Sequence, residues 1–452
     1  MDPTGSLNND AIETIENEEE ILDDSEEREL VTDSCSTKVL DCREQPRDRY
    51  WIVYILFYLF GVSSLVPWNF LITANDYWMY KFRDVNPSNL TMLVRKTQFQ
   101  AEFTSYLNVA TAIPNLIFLV LNSLYGHLVS IKSRLQGSLI VIMLSFLVTT
   151  ALVQVDTDDW QNGFFIVTIV TVVIMTAASA VFIGGLIGVA SKFSKEYMGA
   201  VVSGQSLGGI MAAVAQIVSL AFKVSPLHSA LVYFIIADVV VATSLLSYLA
   251  LHRVDFFTHH VLHGSSGVSN RHRDASLTSV MKKIWVYAFS MFSVFAVTMA
   301  VYPAVTVLVE SHPTTAGTDW NNIFFVPVVN YLIFNCGDYS GRLVAGFLLK
   351  PSRAWVSAVA SVARVAGVAM LMVCNAQPRR HLPVLFPWDW QYIIIMIVFA
   401  FSNGYLTNII MINSTREVEA HEREKASSVI ATMLSVGLTA GAALGMLLVR
   451  LL

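Results

Sequence analysis

The hydrophobic pattern along the chain consists of long, nearly continuous apolar runs separated by short polar segments. A helix that crosses a bilayer needs about 20 predominantly apolar residues, and eleven runs meet that length. They are residues 51–74, 103–125, 135–155, 163–187, 199–221, 229–251, 284–309, 322–349, 354–374, 390–412 and 427–449. The pattern predicts an all-α membrane protein with eleven transmembrane helices.

Four of these runs contain a proline, namely Pro67, Pro114, Pro303 and Pro327. We expect helices there nonetheless, because neighbouring helices and local water satisfy the carbonyl groups that a proline leaves free in a membrane bundle.

The basic residues near the ends of the predicted helices indicate their orientation. Lys and Arg in short loops are retained on the cytoplasmic side of a membrane. With the N-terminus inside, the inner segments hold 18 of these residues and the outer segments hold 8. The sequence therefore predicts an N-in, C-out topology.

Composition and charge support this prediction. The chain is 54% hydrophobic and only 14% charged, with a mean hydropathy of +0.56, whereas soluble domains are about a quarter charged. Residues 1–50 hold nearly half of the 34 acidic residues. We expect a disordered acidic cytoplasmic tail at 1–50, transmembrane helices 1–6 in 51–251, a cytoplasmic loop at 252–283, and helices 7–11 in 284–452.

The two polar segments carry weak signals of their own. Residues 26–31 of the tail loosely resemble an acidic dileucine signal, which would bind sorting adaptors. The loop at 252–283 holds five histidines, yet no cysteine or paired carboxylate completes a metal-ligand set, so we expect a flexible solvated loop. No catalytic, nucleotide-binding or cofactor motif is found. The sequence predicts neither an enzyme nor a nucleic-acid-binding protein, and no metal or cofactor.

Four ionisable residues lie inside predicted helices: Asp238, Asp338, Arg342 and Arg364. Such groups are costly in a membrane and mark either a functional site or a structural pair. Asp338 and Arg342 are four residues apart and share one helix face with Asn335. They could form a self-neutralising structural pair, or they could offer a carboxylate acceptor and a guanidinium donor to a polar solute in a watery cavity.

Two further polar positions suggest a binding site. Trp68 and Asn69 follow Pro67 in the first helix, so an aromatic ring and an amide lie beside a proline. Gln205 lies among glycines near the middle of the fifth helix. Glycines repeated along one face of a helix allow helices to pack closely. A buried amide, however, needs a partner, which is either a neighbouring helix or a substrate.

Several motifs, taken together and in order, resemble the equilibrative nucleoside transporter family over about residues 48–452. The matching segments are Asp48-Arg49-Tyr50, Pro67-Trp68-Asn69-Phe70, Ser203-Gly204-Gln205, Tyr302-Pro303-Ala304-Val305-Thr306-Val307, Asn335-x-x-Asp338-x-x-Gly341-Arg342, Ala363-Arg364, Pro378-Arg379-Arg380 and Ser402-Asn403-Gly404-Tyr405-Leu406.

The resemblance implies a bundle related to the major facilitator fold that passes nucleosides such as adenosine and uridine down their gradient by alternating access. It implies that the substrate contacts Trp68, Asn69, Gln205, Asn335, Asp338 and Arg342. Trp68 would face the nucleobase, Gln205 would bond its edge, and the ion pair would bond the ribose hydroxyls. Arg364 and Pro67 would have structural or gating roles.

Within that family, Thr73-Ala74-x-x-Tyr77-Trp78-Met79 and Val155-Asp156-Thr157 look most like the lysosomal-type member. The expected location is the plasma membrane or the late endosomal and lysosomal membrane, and we expect a monomer. Two alternatives remain. An organic-cation or monoamine transporter of the same family would use Asp238, which has no counterpart in the family pattern, as an extra carboxylate. A membrane receptor or scaffold would transport nothing.

Glycosylation tests the predicted topology. Asn89 begins a sequon in the first outer loop, whereas Asn413 begins one on the inner side. We expect Asn89→Gln to make the expressed protein migrate faster and become insensitive to N-glycosidase, with Asn413→Gln as the matched control that changes neither. A glycan on Asn413 and none on Asn89 would mean that the orientation is inverted.

Overall fold

The computed structural model describes residues 48–84, 98–251, 253–266, 277–312, 317–347, 353–377 and 381–452. The tail signal at 26–31 and the sequon at Asn89 lie outside the described residues. Within the described ranges the chain is mostly helical, and β-structure is limited to two isolated bridges, Val309 with Ala376 and Cys374 with Phe386.

The described residues of the first part of the bundle, here called the N half, form seven helices. They are α1 (Ile52–Thr73), α2 (Asn75–Lys81), α3 (Gln98–Tyr125), α4 (Ile131–Gln154), α5 (Gln161–Ala190), α6 (Lys195–Ala221) and α7 (Pro226–Leu251). The short helix α8 (Asp255–Ser266) follows.

The second part, here called the C half, begins with α9 (Leu277–Val301). Two π-helical segments, Trp320–Phe324 and Val326–Ile333, lead into α10 (Phe334–Phe347). The remaining helices are α11 (Ala354–Ala363), α12 (Val365–Met372), α13 (Asp389–Arg416) and α14 (Arg423–Leu451).

The helices have the length and surface of membrane-crossing elements. In the described ranges, nine helical stretches are long and apolar enough to cross a bilayer. The predicted segments 103–125 and 322–349 are not among them, since α3 contributes only the shorter apolar stretch Val109–Tyr125 and the other segment is divided before α10. The all-helical class is confirmed, and the count of eleven stays a prediction.

Large apolar side chains also remain exposed along the outer faces of several helices. Leu144 of α4, Ile166 of α5, Leu246 of α7 and Val398 of α13 are each more than half exposed. A water-soluble protein rarely exposes so many large apolar residues over a contiguous surface. These faces are suited to lipid tails.

Three local expectations were wrong. The seventh predicted helix does not continue through Pro303, because α9 ends at Val301 and a separate 3-10 turn covers Thr306–Leu308. A proline cannot donate the backbone hydrogen bond that would continue a helix.

Residues 322–349 are not one regular α-helix, since π-helical turns surround Pro327. The stretch 252–283 is not entirely a solvated loop, because α8 forms there and buries Phe257.

Close helix contacts hold each half together. In the N half, α1 crosses α6 at glycines, and a Cβ built on Gly61 would lie 2.2 Å from the Val201 carbonyl oxygen. In the C half, α10 crosses α13 in the same manner, and a Cβ on Gly404 would lie 1.8 Å from the Asp338 carbonyl oxygen. Neither crossing tolerates a side chain without moving backbone, so α10 and α13 behave as one packed pair.

The crossing of α1 and α6 gives a stability test. We expect Gly61→Ala to lower the free energy of unfolding by about 2–3 kcal/mol, because the added methyl group meets backbone that cannot rotate away. Gly137→Ala is the matched control, since nothing lies within 4 Å of a Cβ at that position of α4. Thermal melting of the detergent-purified variants measures both. Equal melting temperatures would contradict the close contact.

Candidate functional site

A buried ion pair lies on α10. The Arg342 Nε atom donates to Asp338 Oδ2 at 2.9 Å, one turn apart on α10. Asp338 is 4% exposed and Arg342 is 6% exposed. Taking two charges out of water costs several kcal/mol for each ion, so the pair persists only if other hydrogen bonds satisfy the remaining acceptors and donors.

Those further bonds to the carboxylate come from two other helices. Asn403 Nδ2 on α13 donates to Asp338 Oδ1 at 2.7 Å, and the Ser206 hydroxyl on α6 donates to Asp338 Oδ2. Thr298 of α9 orients the amide, since its hydroxyl donates to Asn403 Oδ1 at 2.8 Å. Asp338 therefore joins three helices, one from the N half and two from the C half.

The guanidinium also reaches the N half. Arg342 Nη1 donates to the Val202 carbonyl oxygen at 2.6 Å and lies 3.4 Å from Gln205 Oε1, both on α6. On its own side, Asn408 of α13 donates to the Arg342 carbonyl oxygen at 2.6 Å. The sequence left open whether Gln205 meets a helix or a substrate, and in this structure it meets Arg342.

The other predicted site residues lie around this pair. Asn335 is half-buried one turn before Asp338, donates to the Tyr331 carbonyl oxygen at 2.8 Å, and its Oδ1 faces Gly209 of α6. Trp68 and Asn69 are half-buried in α1, and Pro67 is buried within that helix. The structure thus brings Gln205, Asn335, Asp338 and Arg342 together between α6 and α10, with Trp68 and Asn69 on α1, which packs against α6.

Arg364 has a different environment. It lies between α11 and α12 and is 6% exposed. Its guanidinium donates to the Val294 carbonyl oxygen at 2.8 Å, the Phe399 carbonyl oxygen at 3.2 Å and the Ser402 hydroxyl at 3.0 Å, and it lies 4.5 Å from the centroid of the Phe399 ring. All of these partners belong to the C half, which fits the structural role expected for Arg364.

Asp238 lies outside the central network. On α7 it accepts a hydrogen bond from the Thr150 hydroxyl of α4 at 2.7 Å. Both helices belong to the N half, and the carboxylate is half-buried. This arrangement favours the interpretation that Asp238 faces a polar neighbour, and it gives the cation-transporter alternative no extra carboxylate at the Asp338–Arg342 pair.

A second set of contacts joins the halves at the end predicted to face the cytoplasm, here called the inner end. Glu424, at the start of α14, accepts from Arg134 of α4 at 3.1 Å and lies 3.4 Å from Lys192 Nζ, just after α5. Tyr58 of α1 donates to the Tyr339 hydroxyl of α10 at 2.6 Å. The inner end is therefore closed by contacts that cross between the halves.

Sequence reasoning missed several of these residues. Asn403 is named there only within a longer motif, and Ser206 directly follows the motif Ser203-Gly204-Gln205 without being part of it. Each is a polar side chain inside an apolar run, which needs a partner, and that is the signal that could have identified both. Arg134 and Glu424 lie at helix ends, where charges are common, so no sequence signal separated them from ordinary interfacial residues. In the described ranges, no group of three or more His, Cys, Asp or Glu side chains could hold a metal ion.

Comparisons with known proteins place the chain in a family. The model of the nucleoside transporter family matches residues 169–275 and 264–450, which is more than half of the chain. Rat equilibrative nucleoside transporter 1 is 32% identical over 89% of this chain and 98% of its own length. Human equilibrative nucleoside transporter 2 is 32% identical, covering 90% and 99%. The chain belongs to the nucleoside transporter family.

The family resemblance expected from the motifs is thus confirmed. The protein is a multi-pass membrane protein, and its family is one of transporters and not of enzymes. Rat equilibrative nucleoside transporter 3 is 30% identical over 90% of both chains. The three numbered members match almost equally well, so the closer resemblance to a lysosomal-type member stays a prediction, as does the membrane in which the protein resides.

The fold comparison agrees. The major facilitator superfamily transporter FucP in its outward conformation matches with a TM-score of 0.53 at 12% identity, covering 88% of this chain and 97% of that one. The proton:xylose symporter XylE matches with a TM-score of 0.57 at 11% identity, covering 86% of each chain. The expected major-facilitator-like bundle is confirmed.

Closure of the inner end can be tested at Glu424. We expect Glu424→Gln to weaken the contacts to Arg134 and Lys192 and to speed labelling of a cysteine placed at Tyr54, near the inner end of α1, by an impermeant maleimide from the inner side. The expected increase is about two- to fivefold, since a partly exposed pair contributes at most about 1 kcal/mol. Glu419→Gln is the control, because Glu419 is an exposed inner-end carboxylate that pairs with His421. Unchanged labelling would contradict the closure.

Proposed function

We propose that the protein is a facilitative transporter that moves nucleosides such as adenosine and uridine down their gradient by alternating access. The single observation that carries the proposal is the sealed Asp338–Arg342 pair, whose hydrogen bonds cross between the two halves of a transporter fold. The named relatives, all of them equilibrative nucleoside transporters, supply the substrate class.

The chemistry of the site suits a nucleoside. A ribose ring offers hydroxyl groups, which can donate to the Asp338 carboxylate and accept from the forked Arg342 guanidinium. A nucleobase offers a flat face for Trp68 and a hydrogen-bonding edge for Asn69, Gln205 and Asn335. A neutral pair of opposite charges recognises a neutral polar solute without requiring a charge on it.

The same pair explains how transport could proceed without a covalent or nucleotide-driven step. In the closed inner end, Asp338 and Arg342 bond to α6, so their polar atoms are satisfied while the path to the inner side is shut. A bound nucleoside would replace these bonds with its own hydroxyl groups. The two halves can then separate at the inner end without leaving a desolvated charge unpaired, which would otherwise cost several kcal/mol.

The remaining expectations are proposals of the same kind. We expect the substrate to contact Trp68, Asn69, Gln205, Asn335, Asp338 and Arg342, and we expect the protein to act as a monomer in the lipid bilayer. The organic-cation alternative receives no support from Asp238, which pairs with Thr150. Sorting adaptors at the acidic tail remain a proposal.

Uptake measurements on the full chain test the proposal. We expect saturable, sodium-independent uptake of labelled adenosine and uridine, measured at pH 7.4 and 5.5 with surface and intracellular pools assayed separately. Arg342→Ala should reduce uptake to background, because it removes a substrate ligand and leaves Asp338 unpaired in a desolvated site, a change that costs about 3–5 kcal/mol.

Arg353→Ala is the matched control, since it removes an exposed arginine at the start of α11 and should leave uptake unchanged. Surface labelling measures how much of each variant reaches the membrane. Wild-type uptake by a correctly delivered Arg342→Ala protein would overturn the site. Absence of nucleoside uptake by the wild-type protein at the membrane, together with uptake of organic cations, would overturn the substrate class.

A further inference from the structure

The acceptor positions of Asp338 are largely occupied by the protein itself. A carboxylate oxygen accepts about two hydrogen bonds. Asp338 Oδ2 already accepts from Arg342 Nε and from the Ser206 hydroxyl, and Oδ1 accepts from Asn403. Because the carboxylate is 4% exposed, an incoming hydroxyl group reaches Oδ2 only if one of the present donors leaves.

The three donors differ in the half of the bundle that carries them. Arg342 lies on α10 with Asp338 itself. Asn403 lies on α13, which is packed against α10 at Gly404 with no room for a side chain between them. Both donors therefore move together with the carboxylate. Ser206 alone comes from the N half, on α6.

We infer that the Ser206 hydroxyl occupies the acceptor position on Asp338 Oδ2 to which a sugar hydroxyl of the substrate binds. When the substrate binds, its hydroxyl displaces that of Ser206, and Ser206 therefore helps to determine specificity for the sugar. The inference rests on the proposed function. One hydroxyl replaces another as donor to the same carboxylate, so neither the number of hydrogen bonds that Oδ2 accepts nor the charge of the site changes during the exchange.

This exchange has a consequence for affinity. A ribonucleoside must break the Ser206–Asp338 bond before its own hydroxyl can bond to Oδ2, so its measured affinity includes that cost. A 2′,3′-dideoxynucleoside has no hydroxyl group at the 2′ and 3′ positions of its sugar and leaves the Ser206 bond in place. Ser206 therefore reduces the preference that Asp338 would otherwise give to the full ribose.

Removing the competing hydroxyl tests the inference directly. We expect Ser206→Ala to lower the KM for uridine about fivefold and to change the KM for 2′,3′-dideoxyuridine by less than about twofold, because a hydrogen bond to a charged group is among the stronger ones. Initial rates of uptake across a substrate series, normalised to protein at the membrane, give both constants.

Three further variants make the result decisive. Ser290→Ala is the matched control, because it removes a fully buried serine hydroxyl that donates to the Val286 carbonyl oxygen within α9, and it should leave both KM values unchanged. Ser206→Thr keeps the hydroxyl and should restore the wild-type ratio of the two constants. Ser206→Cys keeps the volume with a weaker donor, and it supplies the measurement if the alanine variant does not fold.

The outcomes separate the two proposals. Equal changes in both KM values, or an unchanged ratio in Ser206→Ala and Ser206→Cys, would overturn the exchange and leave nucleoside transport intact. Absence of saturable uridine uptake by the wild-type protein would instead overturn the proposed function, and the exchange with it.

Discussion

The burial of one carboxylate organises the centre of this protein. Asp338 is nearly inaccessible, and an ionised group in that position is tolerated only with a full set of donors. Arg342 supplies the opposite charge from the same helix, so the pair forms wherever α10 forms. The other donors come from α13 and α6, and the carboxylate therefore fixes how these helices meet. The glycine crossing at Gly404 brings α13 close to α10, and Gly209 of α6 lies directly against Asn335 of α10.

The bonds around the pair fall into two groups with different consequences for movement. Those from Asn403 and Asn408 stay within the C half and do not depend on contact with the N half. Those to α6 cross between the halves and must break when the halves separate. A buried charge cannot lose a partner without a replacement, so a polar solute that supplies equivalent bonds lowers the barrier to separation. In the proposed mechanism, the same atoms therefore couple binding to movement.

The sequence predicted the class of fold and singled out the Asp338–Arg342 pair because both depend on strong local signals. Long apolar runs are typical of membrane helices, and a charge four residues from its opposite inside such a run has few explanations. The interruptions at Pro303 and Pro327 were missed because a membrane bundle tolerates some prolines and not others, and the neighbours decide which. Ser206 was missed because its role depends on α10, which is remote in sequence and meets it only in the folded bundle.

The two buried arginines differ in which half of the bundle supplies their hydrogen-bond partners. Arg342 and Arg364 are equally inaccessible, and each carries several hydrogen bonds. Every partner of Arg364 named above belongs to the C half, so separation of the halves leaves its bonds intact. Arg342 divides its bonds between its own half and α6. Burial alone does not separate the proposed substrate ligand Arg342 from Arg364, whereas the distribution of their hydrogen-bond partners between the two halves does.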